Sequence, residues 1–492
     1  MRVSPIIALF LLITIWNISL SQNKQQNTQT KAAQKFIDTY NRQNYSQMKG
    51  TLGLVYRILP LKKYLKQVFI PRFKKFGKAK IDSISFVSKY HAAVYISYEK
   101  DDFEKDLLNL NIKKNGKISG LNFRMPSFLY PKQGTEINNI TDDEKRIKID
   151  SLLSRRFRQG LNANVIAIND NFLFKKCLGY SNFETKELLN DSSIFELASC
   201  SKQFTGMAIM ILAERGKLNY DDSIQKFIPD FPYHHITIEN LLTHTSGLPD
   251  YVTLFEKQWD KSKIATNNDI LDLLKKYRPK VYHQPDEIFD YSNTGYALLS
   301  LIIEKASGAT YTGFMEKNIF SPLGMNNTRV YNTRRYKNEK IPNYAYGYVY
   351  SERLKRKCLP DSIKDYDFVR YLDGITGDGT VNTTIVDLVK WDNALRKNTL
   401  VQKTTLDRAY TKYRVKSGKA NPYGVDYGYG ELIVDANNKE KVVYHGGGWP
   451  GYSTFILHFV DRTSMVAILA NVDDESIQKL ADQIAKILLG VH

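Results

Sequence analysis

Apolar and polar positions change period several times along the chain. Residues 1–21, MRVSPIIALFLLITIWNISLS, hold one charge, Arg2, and an apolar run from Ile6 to Ile15, followed by the small residues Ser19 and Ser21. The run is short for a membrane span, and the pattern predicts a secretory leader removed after residue 21. Residues 22–30, QNKQQNTQT, read as polar linker. A helix is expected from Lys31 to about Lys49, with Phe36, Ile37 and Tyr40 among its apolar positions. Further on, Val94, Ile96 and Tyr98 alternate with Tyr95 and Ser97. Asn115-Gly116 then separates two alternating arms, a hairpin signal. Residues 31–128 therefore read as a small α+β domain, and 129–140 as a second linker.

A longer domain is expected over 141–490. Thr141 opens TDDE, a capping box with Glu144 three residues on, starting a helix with Ile147, Leu152, Leu153 and Phe157 inward. ANVIAINDNFLFKKCLGY gives two strands flanking Asn169-Asp170. Residues from about 195 to 410 are mainly helical with long loops. KVVYH, STFILHFV and MVAILANV are strand-like, and a last helix from about Asp474 to Leu489 carries Ile477, Leu480, Ile484 and Leu488 on one stripe. Two strands early and three late predict one sheet built from both ends of the domain. No internal repeat is visible.

Composition narrows the class. Of 492 residues, 42% are hydrophobic and 25% charged, which excludes a disordered chain and a polytopic membrane protein. Three cysteines exclude a disulfide framework; Cys177 and Cys358 can meet in an oxidising compartment, but nothing requires it. The formal charge is +19, which would ordinarily point to nucleic acid or an anionic surface. Its location decides between them. Residues 22–134 carry 22 Lys+Arg against 7 Asp+Glu, whereas residues 135–492 carry 47 against 44. The charge belongs to the leading domain. With export expected, to the periplasm or beyond, no nucleic acid partner is predicted; anionic envelope polymers or lipid head groups are.

The chemistry rests on three short patterns. A nucleophilic Ser needs a base, and a Lys three residues on along a helix faces the same side. S-x-x-K occurs at Ser21, Ser46, Ser97, Ser199, Ser223 and Ser476, so context must choose. Ser199 and Lys202 follow FELA and open an apolar helical run containing Phe204, Met207, Ala208, Ile211 and Leu212; a helix N-terminus favours developing negative charge. Y-x-N occurs at Tyr180, Tyr291 and Tyr336, and Tyr291-Ser292-Asn293 is the candidate because a helical run follows it. His445-Gly446-Gly447-Gly448 ends a strand, where glycine allows close backbone approach. Other tempting residues have plainer readings. Cys200 is expected to be buried and turned away from the site. His234-His235 has no third ligand at useful spacing and reads as a surface turn, so no metal is expected. His244, in THTSG, reads as a structural turn near the site, and Asp378, in GDG, as a cleft or turn residue.

Taken in order, FELASCSK, LLTHTSGLPDY (241–251), FDYSNTGYALL (289–299), GDGTVNTTIVDLVKWDNAL (377–395) and the His-Gly-Gly-Gly run resemble the serine β-lactamase and penicillin-binding-protein-like family, in its class C β-lactamase and esterase branch. The resemblance covers about 141–490. It implies an α+β fold of the β-lactamase/transpeptidase type, with an antiparallel sheet from both chain ends plus an all-helical subdomain. Residues 31–128 weakly resemble NTF2-like domains. By resemblance, Ser199 is the acylated nucleophile, and Lys202 and Tyr291 move its proton, with either as base. Asn293 binds the substrate amide or holds Lys202, His445 and Gly447 bind substrate, and the backbone N–H groups of Ser199 and Gly448 form the oxyanion hole. No cofactor is implied. His445 stands where true β-lactamases place a Lys that helps receive the substrate carboxylate, and Pro285-Asp286 stands where relatives often have Pro-Gly. The expected activity is that of an exported serine hydrolase on a small ester, amide or cell-wall peptide. A penicillin-binding or envelope-docking protein with little turnover, and a true β-lactamase, are the competing readings.

Overall fold

The computed structural model describes residues 26–43, 77–88, 91–99, 101–112, 118–124, 140–330, 339–418, 426–436 and 440–490. Residues 1–21, most of the Lys- and Arg-rich sequence over 60–78, the Asn115-Gly116 pair, most of the 129–140 linker, and the decoy patterns at Ser21, Ser46 and Tyr336 lie outside them. Among the described residues no helix is long and apolar enough to cross a membrane. Internal contacts divide the chain into two units, 1–128 and 129–492.

In the leading unit, helix α1 spans 26–41, so residues 26–30 are helical and not linker as expected. Gln29 shares the buried face with Ala32, Ala33, Phe36, Ile37 and Tyr40, which gives that polar turn a packing role. Strands β1 (Ala79–Ser88), β2 (His91–Tyr98), β3 (Asp101–Ile112) and β4 (Ile118–Arg124) form a sheet in sequence order. Its strand pairs are antiparallel. Val94 and Ile96 are buried, as their alternation requires. The two arms around Asn115-Gly116 are β3 and β4, with Ile112 opposite Ile118.

In the second unit, α2 (Asp142–Arg158) begins at the Thr141 capping box. Its buried stripe is Ile149, Leu152, Leu153 and Arg156, spaced as one helical face. Ile147 and Phe157, expected inward, are 66% and 45% exposed because they fall off that stripe. Strands β5 (Ala163–Asn169) and β6 (Phe172–Leu178) follow, joined at Asp170. The long middle segment supplies α3 (Lys202–Glu214), α4 (Asn293–Ser307) and α5 (Ile385–Arg396). The chain then returns through β7 (Asp426–Tyr427), β8 (Leu432–Ala436), β9 (Glu440–Trp449), β10 (Tyr452–Phe459) and β11 (Ser464–Ala470) to α6 (Ile477–Leu489).

The seven strands are ordered β7-β8-β9-β10-β11-β5-β6, with antiparallel neighbours. The sheet is built from both ends as expected, with five late strands where three were read. The extra pair, β7 and β8, is short and carries no sustained alternation. The glycines of β9 lie inside the strand, which continues to Trp449. Ile456, Ala467 and Leu469 join the core of the helical layer. Leu457, Val466 and Ile468 alternate with them and are buried too, on the face where α6 packs. All four stripe residues of α6 are buried.

Arg156 of α2 donates to Asp474, which precedes α6, at 2.7 Å with both side chains buried. Truncating one partner of a buried pair strands the other charge. Asp474→Ala is expected to destabilise the fold by about 3–5 kcal/mol, read as a lowered denaturation midpoint.

Candidate active site

Ser199 sits in a 3-10 turn, Ala198–Ser201, that runs directly into α3. Ala198 holds φ +48°, left-handed backbone that a non-glycine residue adopts only when its surroundings impose it. Those surroundings are specific. The Leu197 N–H donates to the Val381 carbonyl at 2.8 Å, and the Val381 N–H donates to the Ser201 hydroxyl at 2.9 Å. The Thr454 hydroxyl of β10 donates to the Leu197 carbonyl at 2.7 Å, and the Cys200 thiol donates to the His445 carbonyl at 3.1 Å. Ser201 and Cys200 are thus turned into the framework. Burial pushes the Cys200 thiol up to about 12, so it is an inert packing group, as its position after Ser199 suggested.

Lys202 is fully buried. Its Nζ donates to Ser199 Oγ at 3.3 Å, to Asn293 Oδ1 at 2.9 Å and to the Asp378 carbonyl at 2.7 Å. It also lies over the rings of Tyr291, at 5.0 Å, and Tyr296, at 5.5 Å. Asn293 is the first residue of α4, whose N-cap Ser292 accepts from the Gly295 N–H at 3.1 Å. Tyr291, just before that cap, is 38% exposed, and no hydrogen bond of its hydroxyl occurs among the described residues. The three patterns, separated by up to 249 positions in sequence, therefore meet: Ser199 and Lys202, Tyr291 and Asn293, and the glycines of β9.

The β9 edge is tight on one side and open on the other. A Cβ on Gly447 would lie 2.1 Å from the Leu197 carbonyl oxygen and 2.2 Å from Thr454 Oγ1, whereas one on Gly448 would meet nothing within 4 Å. Gly447 is where β9 closes against the Ser199 turn, and Gly448 borders open space. His445 is buried, with Nδ1 at 2.7 Å from the Gly446 carbonyl and Nε2 at 3.0 Å from the Tyr427 hydroxyl. A carbonyl only accepts, so Nδ1 carries the proton and Nε2 accepts from Tyr427. Burial, reinforced by Lys202, holds this imidazole down at about 3. His445 is therefore neutral, and both ring nitrogens are already engaged.

Sequence reasoning underweighted two residues. Asp378 is buried and offers Lys202 its carbonyl, while its carboxylate accepts from the buried Tyr251 hydroxyl at 2.8 Å. Burial raises the Asp378 carboxyl and lifts the Tyr251 phenol well above its ordinary range. The GDG and LPDY patterns contained both, but nothing local tied one to the other. Asp286 has φ +61°, the conformation that favours glycine, which accounts for the Pro-Gly habit there. Its carboxylate accepts from Tyr413 at 3.0 Å. Cys177 and Cys358 are free thiols, and His234-His235 is an exposed turn. A cavity of about 410 Å³ at the other end of β9 is lined by Asp392, Arg396, Tyr410, Lys441 and His458 among others, and no Ser, Thr or Cys lines it.

A buried Lys beside a half-buried Ser, with a Tyr next to them, set between a helical layer and a glycine-bearing strand, defines a serine hydrolase or acyltransferase frame. The chain belongs to the Beta-lactamase family, whose family model matches residues 153–489. Penicillin-binding protein 4* of Bacillus subtilis is 43% identical over 316 residues, which are 64% of this chain and 69% of that protein. The octameric penicillin-binding protein homologue of Pyrococcus abyssi superposes with a TM-score of 0.60 at 28% identity, over 70% of this chain and 77% of that one. D-amino acid amidase from Ochrobactrum anthropi SV3 shares the fold, with a TM-score of 0.58 at 24% identity over 70% of this chain and 98% of that one.

Three outcomes follow from the packing. Gly447→Ala is expected to lower stability by at least about 1–3 kcal/mol, because the Leu197 backbone carbonyl, and not only the Thr454 hydroxyl, blocks the new methyl. Gly448→Ala is expected to leave the melting temperature unchanged. Iodoacetamide at pH 8 is expected to leave Cys200 unmodified in the folded protein and to alkylate it after unfolding, as read by mass spectrometry.

Proposed function

We propose that this family member is an exported serine hydrolase that forms an acyl-enzyme on a small ester or amide. The observation that carries the reading is the Lys202 ammonium nitrogen within hydrogen-bond reach of Ser199 Oγ while held by Asn293 and the Asp378 carbonyl. In this mechanism the Lys202 ammonium first releases a proton to the cleft, and the neutral amine then takes the Ser199 proton as Oγ attacks the carbonyl carbon. The ammonium so formed is stabilised by the oxygens around Nζ. The tetrahedral oxyanion lies between the N–H groups of Ser199 and Gly448. Tyr291, with its hydroxyl open to the cleft, passes a proton to the leaving alcohol or amine as the C–O or C–N bond breaks. Water then attacks the acyl-enzyme along the reverse proton route, releasing the acid and restoring Ser199.

The state of His445 bears on substrate choice. Neutral and saturated by Gly446 and Tyr427, it supplies no cation for a carboxylate. The reading therefore favours uncharged ester or amide substrates over β-lactams. A second reading, stable acylation with little turnover, has support from the identity to penicillin-binding protein 4*. A fluorescent penicillin that forms a stoichiometric, lasting adduct without ester turnover would select it. For the leading unit, the 22 basic against 7 acidic residues over 22–134 support association with anionic envelope polymers or head groups. Co-sedimentation of residues 22–492 with anionic vesicles should weaken as salt rises, and absence of binding at low salt refutes this docking.

For the hydrolase, Ser199→Ala is expected to abolish fluorophosphonate labelling. Lys202→Ala and Tyr291→Phe should each lower kcat/KM on a p-nitrophenyl ester by about 10²–10⁴-fold. Labelling that persists in Ser199→Ala overturns the nucleophile assignment.

A further inference from the structure

We propose that His244 is a positioning residue for Tyr291, acting as a neutral imidazole that fixes the tyrosine from its root. The proposal rests on the reading of Tyr291 as a proton-transfer group. The Tyr291 hydroxyl makes no hydrogen bond among the described residues, so nothing at the tip of this 38% exposed side chain fixes it. Its root is held instead. The Asp290 N–H donates to the His244 carbonyl at 2.8 Å, and the Ser292 N–H donates to His244 Nδ1 at 3.0 Å. Both chain neighbours of Tyr291 are thus bonded to one residue. The Tyr291 ring itself lies on the imidazole, with centroids 4.2 Å apart and planes at 35°. Lys202 Nζ lies 5.0 Å from the same ring.

This arrangement demands an uncharged imidazole. Nδ1 accepts from a backbone N–H, so it carries no proton, and Nε2 must hold the one that remains. The ring is fully buried and enclosed by Phe289, Tyr296 and Tyr427, whose centroids lie 5.8, 5.0 and 4.6 Å away. Protonation would destroy the Ser292 bond and place a second cation beside Lys202. His244 also holds φ +57°, so the loop takes up strained backbone to present this ring. A hydroxyl displaced by even an ångström loses proton-transfer geometry. His244 touches no reacting atom and acts through Tyr291.

The test is a double-mutant cycle on p-nitrophenyl ester hydrolysis. His244→Phe keeps a ring but no acceptor for Ser292. It is expected to lower kcat by about 10–100-fold with KM within about threefold, while the melting temperature reports the fold. His244→Asn, which can return an acceptor, is expected to recover part of that loss. In a Tyr291→Phe background, His244→Phe should cause little further loss. Losses that multiply in the double variant overturn the proposal, as does wild-type kcat in His244→Phe. Should His244→Phe fail to fold, His244→Asn and His244→Gln carry the same cycle. A wild-type rate in Tyr291→Phe overturns this proposal together with the role of Tyr291. Loss of activity in Ser199→Ala and a measurable residual rate about 10²–10⁴-fold down in Tyr291→Phe, with multiplying losses in the cycle, overturn only the part assigned to His244.

Discussion

A buried lysine ammonium is the constraint around which this domain is arranged. Taking such a group out of water is costly unless oxygens replace its hydration. Here one comes from Ser199 Oγ, three residues back, and two from distant parts of the chain: Asn293 Oδ1 at the start of α4 and the Asp378 carbonyl. Two aromatic faces, Tyr291 and Tyr296, close the remaining directions. Loss of any contributor would unbalance a group that is itself buried. The same contacts that stabilise Lys202 therefore bring the nucleophile, the tyrosine and the carboxamide to one point.

Close backbone approach makes that convergence possible. Gly447 allows β9 to lie against Leu197, and Gly430 lets the YGYG loop meet the Lys202 carbonyl, 2.7 Å from where its Cβ would stand. Gly206 meets the Tyr429 carbonyl in the same seam. Side chains on the framework side are chosen to be unreactive. Cys200 and Ser201 face inward, and His445 is neutralised by burial and engaged at both nitrogens. The Ser199 hydroxyl, by contrast, is left beside the lysine.

Much of the frame was legible locally. The Thr141 capping box, the α6 stripe and the early and late strands each depend on contacts within a few residues or on simple alternation, and each stands as read. Where the reading failed, tertiary packing overrode pattern. Ile147 and Phe157 are apolar but lie off the face that meets the sheet. Gln29 is polar but falls on the face of α1 that packs. Strands β7 and β8 are too short to announce themselves.

The candidate site divides along the same line. The sequence by itself determined which Ser–Lys pair opens an apolar helix, which Tyr-x-Asn precedes one, and where glycines crowd a strand, because helix phase and glycine content are local properties. It also placed the excess charge in the leading unit. Only the tertiary structure decided that the Asp378 carbonyl completes the lysine's shell, that Tyr251 holds the Asp378 carboxylate, and that His244 grips both neighbours of Tyr291. Those contacts join residues 176, 127 and 48 positions apart. No local period encodes such pairings. They exist because packing α3, α4 and the sheet around one buried lysine brings these groups within hydrogen-bond reach of one another.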